Sequence, residues 1–303
     1  MFRSVVTPFG LLNVNKPAGK TSRDVVNRVQ WLLKQIASAD GSKAAKVGHA
    51  GTLDPIATGV LVLCVGPATR LLEHVQRQPK RYRGAFLLGR TSPSDDTELP
   101  ATELPDAPVP TLAQIEAALP AFVGDIEQVP PAYSAIKIGG EKAYDLARAG
   151  KAPEMKAREV SIYGIEVVSY TYPELVLDIR CGSGTYVRAI GRDLAQSLES
   201  GAVMSALERT ESGGFRVEDA VSMDAIDEAT VVDLLLPAGL AVTDLPRIEV
   251  GYNEVGELHN GRFLDRPKAP PGDELAAFDV SGRLIALLKP RKNGRLQPTH
   301  VFK

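Results

Sequence analysis

Between Gly48 and Val65 the chain passes abruptly from a loop into a core. The segment Gly48-His49-Ala50-Gly51-Thr52-Leu53-Asp54-Pro55-Ile56-Ala57-Thr58-Gly59 is rich in Gly, Thr and Pro, and it leads directly into Val60-Leu61-Val62-Leu63-Cys64-Val65. That apolar run reads as a buried element. Nowhere does the chain approach the run of about 20 apolar residues that spans a bilayer. Pro55 biases Asp54 away from the helical region, so its carboxylate is expected on a loop or strand end. The three glycines allow another backbone or a ligand to come close. Taken alone, an Asp-Pro pair is more often a turn or a helix cap than a reactive group. A His beside Gly is more often a structural hydrogen-bonder.

Around this segment the elements read as a mixture of strands and helices. Leu11–Val14 is a first strand, followed by a turn at Asn15-Lys16-Pro17-Ala18-Gly19. Thr21 reads as the cap of a helix whose apolar face is Val25, Val29, Leu32, Leu33 and Ile36, with Asp24 completing the cap. Tyr82–Leu88 is a strand, Pro100–Pro110 a surface connection, and Thr111 with Gln114 caps a short helix. Residues 160–170 and 175–180 form a hairpin about Tyr172-Pro173. Gly182-Ser183-Gly184-Thr185 opens a helix that buries Val187, Ile190, Leu194 and Leu198. Beyond Pro246 the texture changes to short strands with Gly and Pro punctuation (248–250, 274–280, 283–288), as in a small β-barrel. The expected boundary divides the chain into residues 1–246 and 247–303.

The composition is that of an ordinary globular protein, with 44% hydrophobic residues and a formal charge of -2. That charge is unevenly spread. The first 90 residues carry 14 basic and 4 acidic groups, residues 91–127 carry 8 acids and no Lys or Arg, and residues 283–303 carry six basic groups and no acid. Such segregation suits a polyanion-binding face on a protein with an acidic back. Met1–Pro8 has no long apolar stretch and so does not read as a secretory signal. The two cysteines, Cys64 and Cys181, have no Cys or His partner at metal spacing, and a reducing cytoplasm is the expected setting. The four histidines are scattered, so no metal site is expected. Walker A, His-Glu-x-x-His and Gly-x-Ser-x-Gly motifs are absent. The Gly182–Val187 segment lacks the third glycine and the downstream acid of a dinucleotide site.

Several motifs in order are more specific than any one of them. Asn15-Lys16-Pro17 with Gly19-Lys20-Thr21-Ser22, the Gly48–Gly59 loop, Lys80-Arg81-Tyr82, Pro130-Pro131-Ala132-Tyr133-Ser134-Ala135-Ile136-Lys137, Gly184-Thr185-Tyr186-Val187-Arg188 and Leu207-Glu208-Arg209-Thr210 together resemble the tRNA pseudouridine synthase B (TruB) family over roughly residues 10–215. The resemblance implies an α+β pseudouridine synthase fold, with a mixed, mostly antiparallel central sheet flanked by helices. Residues 247–303 resemble the small β-barrel-like PUA-type module of that family in position, size and strand texture. The implied activity is isomerisation of a uridine in the tRNA T arm (uridine 55 in tRNA numbering) to pseudouridine, with no cofactor and no metal. The expected partners are the T arm and, through the C-terminal basic residues, the acceptor arm of tRNA. A monomer with no protein or membrane partner is expected.

On the same resemblance Asp54 is the catalytic aspartate, Tyr186 and Arg188 its active-site companions, and Tyr82 the aromatic that stacks on the flipped uracil. His49 and Leu207 (through its backbone) are expected substrate contacts, together with Lys16, Lys80 and Arg81. An arginine beside Asp54 is expected to hold its pKa down. Arg77, Lys80, Arg81 and Arg83 flank Tyr82 as phosphate binders would, the basic segment Lys137–Arg158 is placed to grip the loop, and Pro131–Lys151 is expected to close on RNA. Asn15, the segment Thr91–Asp96 and Glu208 depart from the family pattern, the last two at positions expected to bear on RNA contact. Two other readings fit the basic faces less well: a non-catalytic RNA-binding protein, which gains nothing from Asp54, and a small-molecule enzyme using His49 and Asp54.

Overall fold

A computed structural model describes residues 8–134, 137–151 and 155–303. Met1–Thr7 and the Ala135-Ile136 pair of the Pro130–Lys137 motif lie outside the described residues, as does part of the Pro131–Lys151 stretch expected to close on RNA.

The central sheet follows from long stretches whose apolar side chains fall on one face or on both. Strands β1 (Gly10–Lys16), β2 (Val47–His49), β3 (Thr58–Val65) and β4 (Lys80–Leu88) come from the first third of the chain. Strands β5 (Gly124–Gln128), β6 (Arg158–Thr171), β7 (Glu174–Cys181), β8 (Ala202–Ser212) and β9 (Val221–Ser222) complete the set needed here. Their order across the sheet is β9-β1-β3-β8-β4-β7-β6-β5, with β2 on β3. All pairs are antiparallel except β9 with β1 and β8 with β3. The sheet is therefore mixed and mostly antiparallel, as expected. β3 is buried from Gly59 to Val65, which explains why its sequence does not alternate.

Helix α1 (Ser22–Asp40) begins with the expected capping box, in which Thr21 and Asp24 bond each other's backbone, and ends at Gly41 with φ 74°. The same box, from Thr111 and Gln114, starts α2 (Leu112–Ala118). Helix α3 (Val187–Ser197) buries Val187, Ile190 and Leu194 in the core against β4 and β8. Strand β8 was not expected. Its sequence, AVMSALERTES, has a polar C-terminal half, but it lies between β3 and β4, and tertiary pairing overrides composition.

Residues 247–303 form a five-stranded sheet in the order Arg247–Glu249, Leu275–Phe278, Leu284–Arg291, Arg295–Val301, Leu264–Asp265. A helix not foreseen, α4 (Tyr252–His259), packs on it, and the last strand was missed because Pro298 interrupts its pattern. This sheet does not keep its core to itself. Phe278, Leu284, Leu287 and Phe302 share one buried cluster with Leu11, Val60, Val62 and Cys64 from β1 and β3. The Phe302 ring stacks on Phe9 with centroids 5.4 Å apart and 12° between planes. Phe302 is fully buried, so Phe302→Ala is expected to cost about 3–5 kcal/mol. Chemical denaturation checks this, and the loss should appear in the unfolding of residues 8–246 as well as of the second sheet.

Candidate active site

The Gly48–Gly59 loop leaves β2 and enters β3, and nearly every turn of it is tied down. Gly59 has φ +96° and lies against the Arg209 backbone, where a Cβ would overlap the Arg209 carbonyl. Leu53 is fixed by Ser22: its N–H donates to Ser22 Oγ at 2.8 Å, and that hydroxyl donates to the Leu53 carbonyl at 3.2 Å. Gly19 N–H donates to the Pro55 carbonyl at 2.9 Å. Thus the Asn15–Ser22 motif is largely a cradle for the Asp54 loop.

Lys16 belongs to that cradle. Its side chain is fully buried and its ammonium donates to the carbonyls of Pro17 (2.9 Å), Lys20 (2.5 Å) and Pro55 (3.3 Å). All three donors are used, so Lys16 is not the substrate contact expected from the sequence. Burial lowers its pKa to about 8, partly offset by nearby Asp54.

The Asp54 carboxylate lies 3.1 Å from Nε of Arg188, on α3. Arg188 is itself buried, and its other nitrogens are filled. Nη1 meets Asp96 Oδ2 at 3.0 Å and donates to the Ser94 carbonyl at 2.7 Å, while Nη2 donates to the Tyr133 carbonyl at 3.0 Å. Asp96 is fully buried and accepts from Ser94 Oγ (2.6 Å) and from Glu98 N–H (3.0 Å). One guanidinium therefore serves two carboxylates. Burial raises the pKa of Asp54 above the ordinary carboxylate range, Arg188 opposes the shift, and Asp96 adds to it. The expected depression by Arg188 is present, but desolvation outweighs it. The Thr91–Asp96 segment, expected to bear on RNA contact, instead supplies the buried partner of Arg188.

Asp54 and Arg188 separate two cavities. One, of about 270 Å³, is lined by Tyr82, Tyr186, Leu207, Lys80 and Arg209 as well as the pair itself. The guanidinium of Arg209, nearly fully buried, donates to the carbonyls of Val60 (2.6 Å) and Gly51 (3.2 Å) and sits 6.0 Å from the Tyr82 ring centre. Tyr186 caps α3. Its backbone N–H donates to Gln128 Oε1 at 2.8 Å, and its carbonyl accepts from Gln128 Nε2 at 3.1 Å. The Arg158 guanidinium lies 4.7 Å from the Tyr186 ring centre and donates to the Gly184 carbonyl.

Leu207 lines this cavity, and its carbonyl accepts the Thr58 hydroxyl at 3.4 Å. Lys80 donates to the carbonyls of Gln76 and Gln78, and burial lowers its pKa to about 8. Arg81 does not join the site. Alternation along β4 sends Lys80 and Tyr82 to the cleft face and Arg81 and Arg83 to the other, where Arg81 pairs with Asp178 at 2.6 Å.

The second cavity, of about 430 Å³, holds His49 with Arg23, Glu98 and Tyr133. Burial and the Arg23 charge hold the His49 pKa below its usual value, so the imidazole is neutral at pH 7. The structure thus unites Asp54, Tyr82, Tyr186, Arg188, Leu207 and Lys80 around one cavity and puts His49 behind the pair. It adds Asp96, Arg209, Gln128 and Arg158, which sequence reasoning did not single out. Arg209 stood in a recognised motif and Asp96 in a recognised departure. Gln128 carried no local signal. Cys64 and Cys181 are free, buried thiols, and burial pushes Cys64 up to about 12. Among the described residues no group of three or more His, Cys, Asp or Glu could hold a metal ion, and no helix is long and apolar enough to cross a membrane.

Residues 39–187 match the model of the TruB family pseudouridylate synthase (N terminal domain), and residues 245–303 match that of tRNA Pseudouridine synthase II, C terminal. The tRNA pseudouridine synthase B of Rhodopirellula baltica is 39% identical over 98% of this chain and 95% of its own. That of Caulobacter vibrioides is 38% identical over 97% and 96%. Among solved structures, a chain of an H/ACA RNP bound to a substrate RNA containing 2'-deoxyuridine is similar in fold, with TM-score 0.71, 24% identity, and coverage of 98% of this chain and 86% of that one. A chain of a Cbf5-Nop10-Gar1 complex gives TM-score 0.71 and 25% identity, covering 98% and 84%. On these matches, the chain belongs to the TruB family of pseudouridine synthases.

Proposed function

We propose that this protein isomerises a uridine of the tRNA T arm, uridine 55 in tRNA numbering, to pseudouridine, with Asp54 as the reactive carboxylate. The observation that carries the reading is the Asp54–Arg188 pair at 3.1 Å, at the edge of a cavity walled by Tyr82 and Tyr186. The reaction breaks the bond from ribose C1′ to uracil N1, turns the base and joins C1′ to C5. C5 gives up its proton and N1 gains one, so nothing is oxidised or hydrolysed. Attack by a carboxylate at C1′ or C6, or abstraction of a ribose proton, starts in each case from ionised Asp54. Arg188 favours that ionised form and fixes its direction.

The target base must leave the folded T arm, at a cost of a few kcal/mol. Stacking on Tyr82 offsets about 1–3 kcal/mol of it. Tyr82 is backed by Arg209 and Tyr186 is held by Gln128 and Arg158, so both rings are set before RNA arrives. Tyr186, beside the pair, is placed to relay the C5 proton. His49, neutral, faces the nucleotides next to the target. The basic residues of the C-terminal sheet extend the RNA-binding surface toward the acceptor arm.

Tritium release from T-arm RNA labelled at uracil C5 tests this directly. Wild type is expected to release tritium, and Asp54→Asn to bind the RNA with no release. Tyr82→Ala is expected to weaken productive binding by about 1–3 kcal/mol, with Tyr82→Phe close to wild type. The single-turnover rate should fall as the medium is acidified through the raised pKa of Asp54, so its acid limb lies above the ordinary carboxylate range. Arg188→Gln removes the cation that opposes the shift, and should move that limb to still higher pH.

A further inference from the structure

Arg192 lies four residues after Arg188 on α3, so the two guanidiniums leave the same face of the helix about one turn apart. Both reach the same two segments. Arg188 bonds Ser94, Asp96 and the Tyr133 carbonyl. Arg192 donates Nη1 to Asp95 Oδ2 and Nη2 to the Val129 carbonyl, each at 2.8 Å, and pairs through Nε with Asp193. The Asp95 and Arg192 side chains are only 15% and 20% exposed, which separates them from an ordinary solvated surface pair.

Asp95 is also one of three described non-glycine residues with positive φ, at 59°. A residue with a Cβ stays in that region only where its surroundings hold it. Its backbone is held by Ser92 and Met204, with Asp95 N–H donating to Ser92 O at 3.2 Å and Met204 N–H donating to Asp95 O at 3.0 Å. Its side chain is held by Arg192. The next residue is Asp96.

We propose that Arg192 and Asp95 are positioning residues for the reaction: their pair fixes the turn that delivers Asp96 to Arg188, and so fixes the guanidinium against Asp54. The need for a second attachment is geometric. Ser94 O and Asp96 Oδ2 both take the same nitrogen of Arg188, Nη1, so on the α3 side the turn meets Arg188 at one point, while its other side is tied to β8 through Met204. A second bond, about 6 Å further along the helix, fixes the orientation of the turn against α3. The Tyr133 and Val129 carbonyls are held in the same two-point manner on the other segment. This inference rests on the reading of Asp54 as the reactive carboxylate.

The charged groups around Asp54 are Arg188, Asp96, Lys16 and Glu98, and those around Asp95 are Arg192, Arg188 and Asp193. The test compares wild type, Asp54→Asn, Arg192→Met, Asp95→Asn and the Arg192→Met/Asp95→Asn double variant in the full chain. Single-turnover tritium release at saturating T-arm RNA is measured against pH, together with RNA affinity and melting temperature. Arg192→Met and Asp95→Asn are each expected to slow release about tenfold or more at unchanged RNA affinity. Each should move the acid limb to higher pH, because a loosened Arg188 holds the Asp54 proton affinity down less. The double variant should be no slower than the slower single one, as for two halves of one contact. If Arg192→Met fails to fold, near-isosteric Asp95→Asn carries the same test. A wild-type rate, or an acid limb that stays in place or moves down, overturns the inference whatever the melting temperature. Release by Asp54→Asn overturns the reading of Asp54 and this inference with it, whereas an inactive Asp54→Asn beside a wild-type-like Arg192→Met overturns the inference alone.

Discussion

A guanidinium taken out of water is stable only if its donors are filled and its charge is met, because an unpaired buried charge costs several kcal/mol. Arg188 meets this demand with groups from three parts of the chain: the Asp54 loop, the turn at Ser94 and Asp96, and the Tyr133 carbonyl. The site is organised by that requirement. Two carboxylates share one cation, so neither is fully neutralised, and the one facing the cavity keeps a proton affinity above that of a free aspartate. A carboxylate so placed is both less stabilised as an anion and fixed in direction, which suits attack on an electrophilic carbon better than a solvated one would be.

The same economy governs the loop that carries Asp54. It is short of regular structure, yet its carbonyls are met by Lys16, Ser22, Gly19 and Arg209. Lys16 and Arg209 are among the largest fully buried side chains of the protein. Both are cations set on backbone carbonyls close to Asp54. The charge of Lys16 also lowers the cost of keeping Asp54 ionised, so it both holds the loop and tunes the carboxylate.

What could be read from the sequence divides along physical lines. Local rules worked where the determining partners are near in sequence, as in the capping boxes of Thr21 and Thr111 and the unbroken run of β3. The candidate site was legible as an ordered set of motifs, which brought Asp54, Tyr82, Tyr186 and Arg188 together correctly. Roles set by distant partners were not legible. Lys16 read as a substrate contact because nothing local says that three carbonyls surround it. Arg81 read as a neighbour of Tyr82, although strand alternation places it on the opposite face. β8 was hidden by its polar residues, and Gln128 acts on Tyr186 across 58 positions of chain.

The stacking of Phe9 on Phe302 joins the two ends of the described chain within one core. During synthesis the apolar rear of β1 and β3, with Leu11, Val60 and Val62, leaves the ribosome some 240 residues before the aromatic that seals it. Chains made from the N-terminus usually complete early units first. Here β1 and β3 share one buried cluster with Phe278, Leu284, Leu287 and Phe302, so part of their apolar face stays uncovered until those residues have been made. A chain cut shortly before Phe302 would hold every motif of the candidate site with that part of its core open.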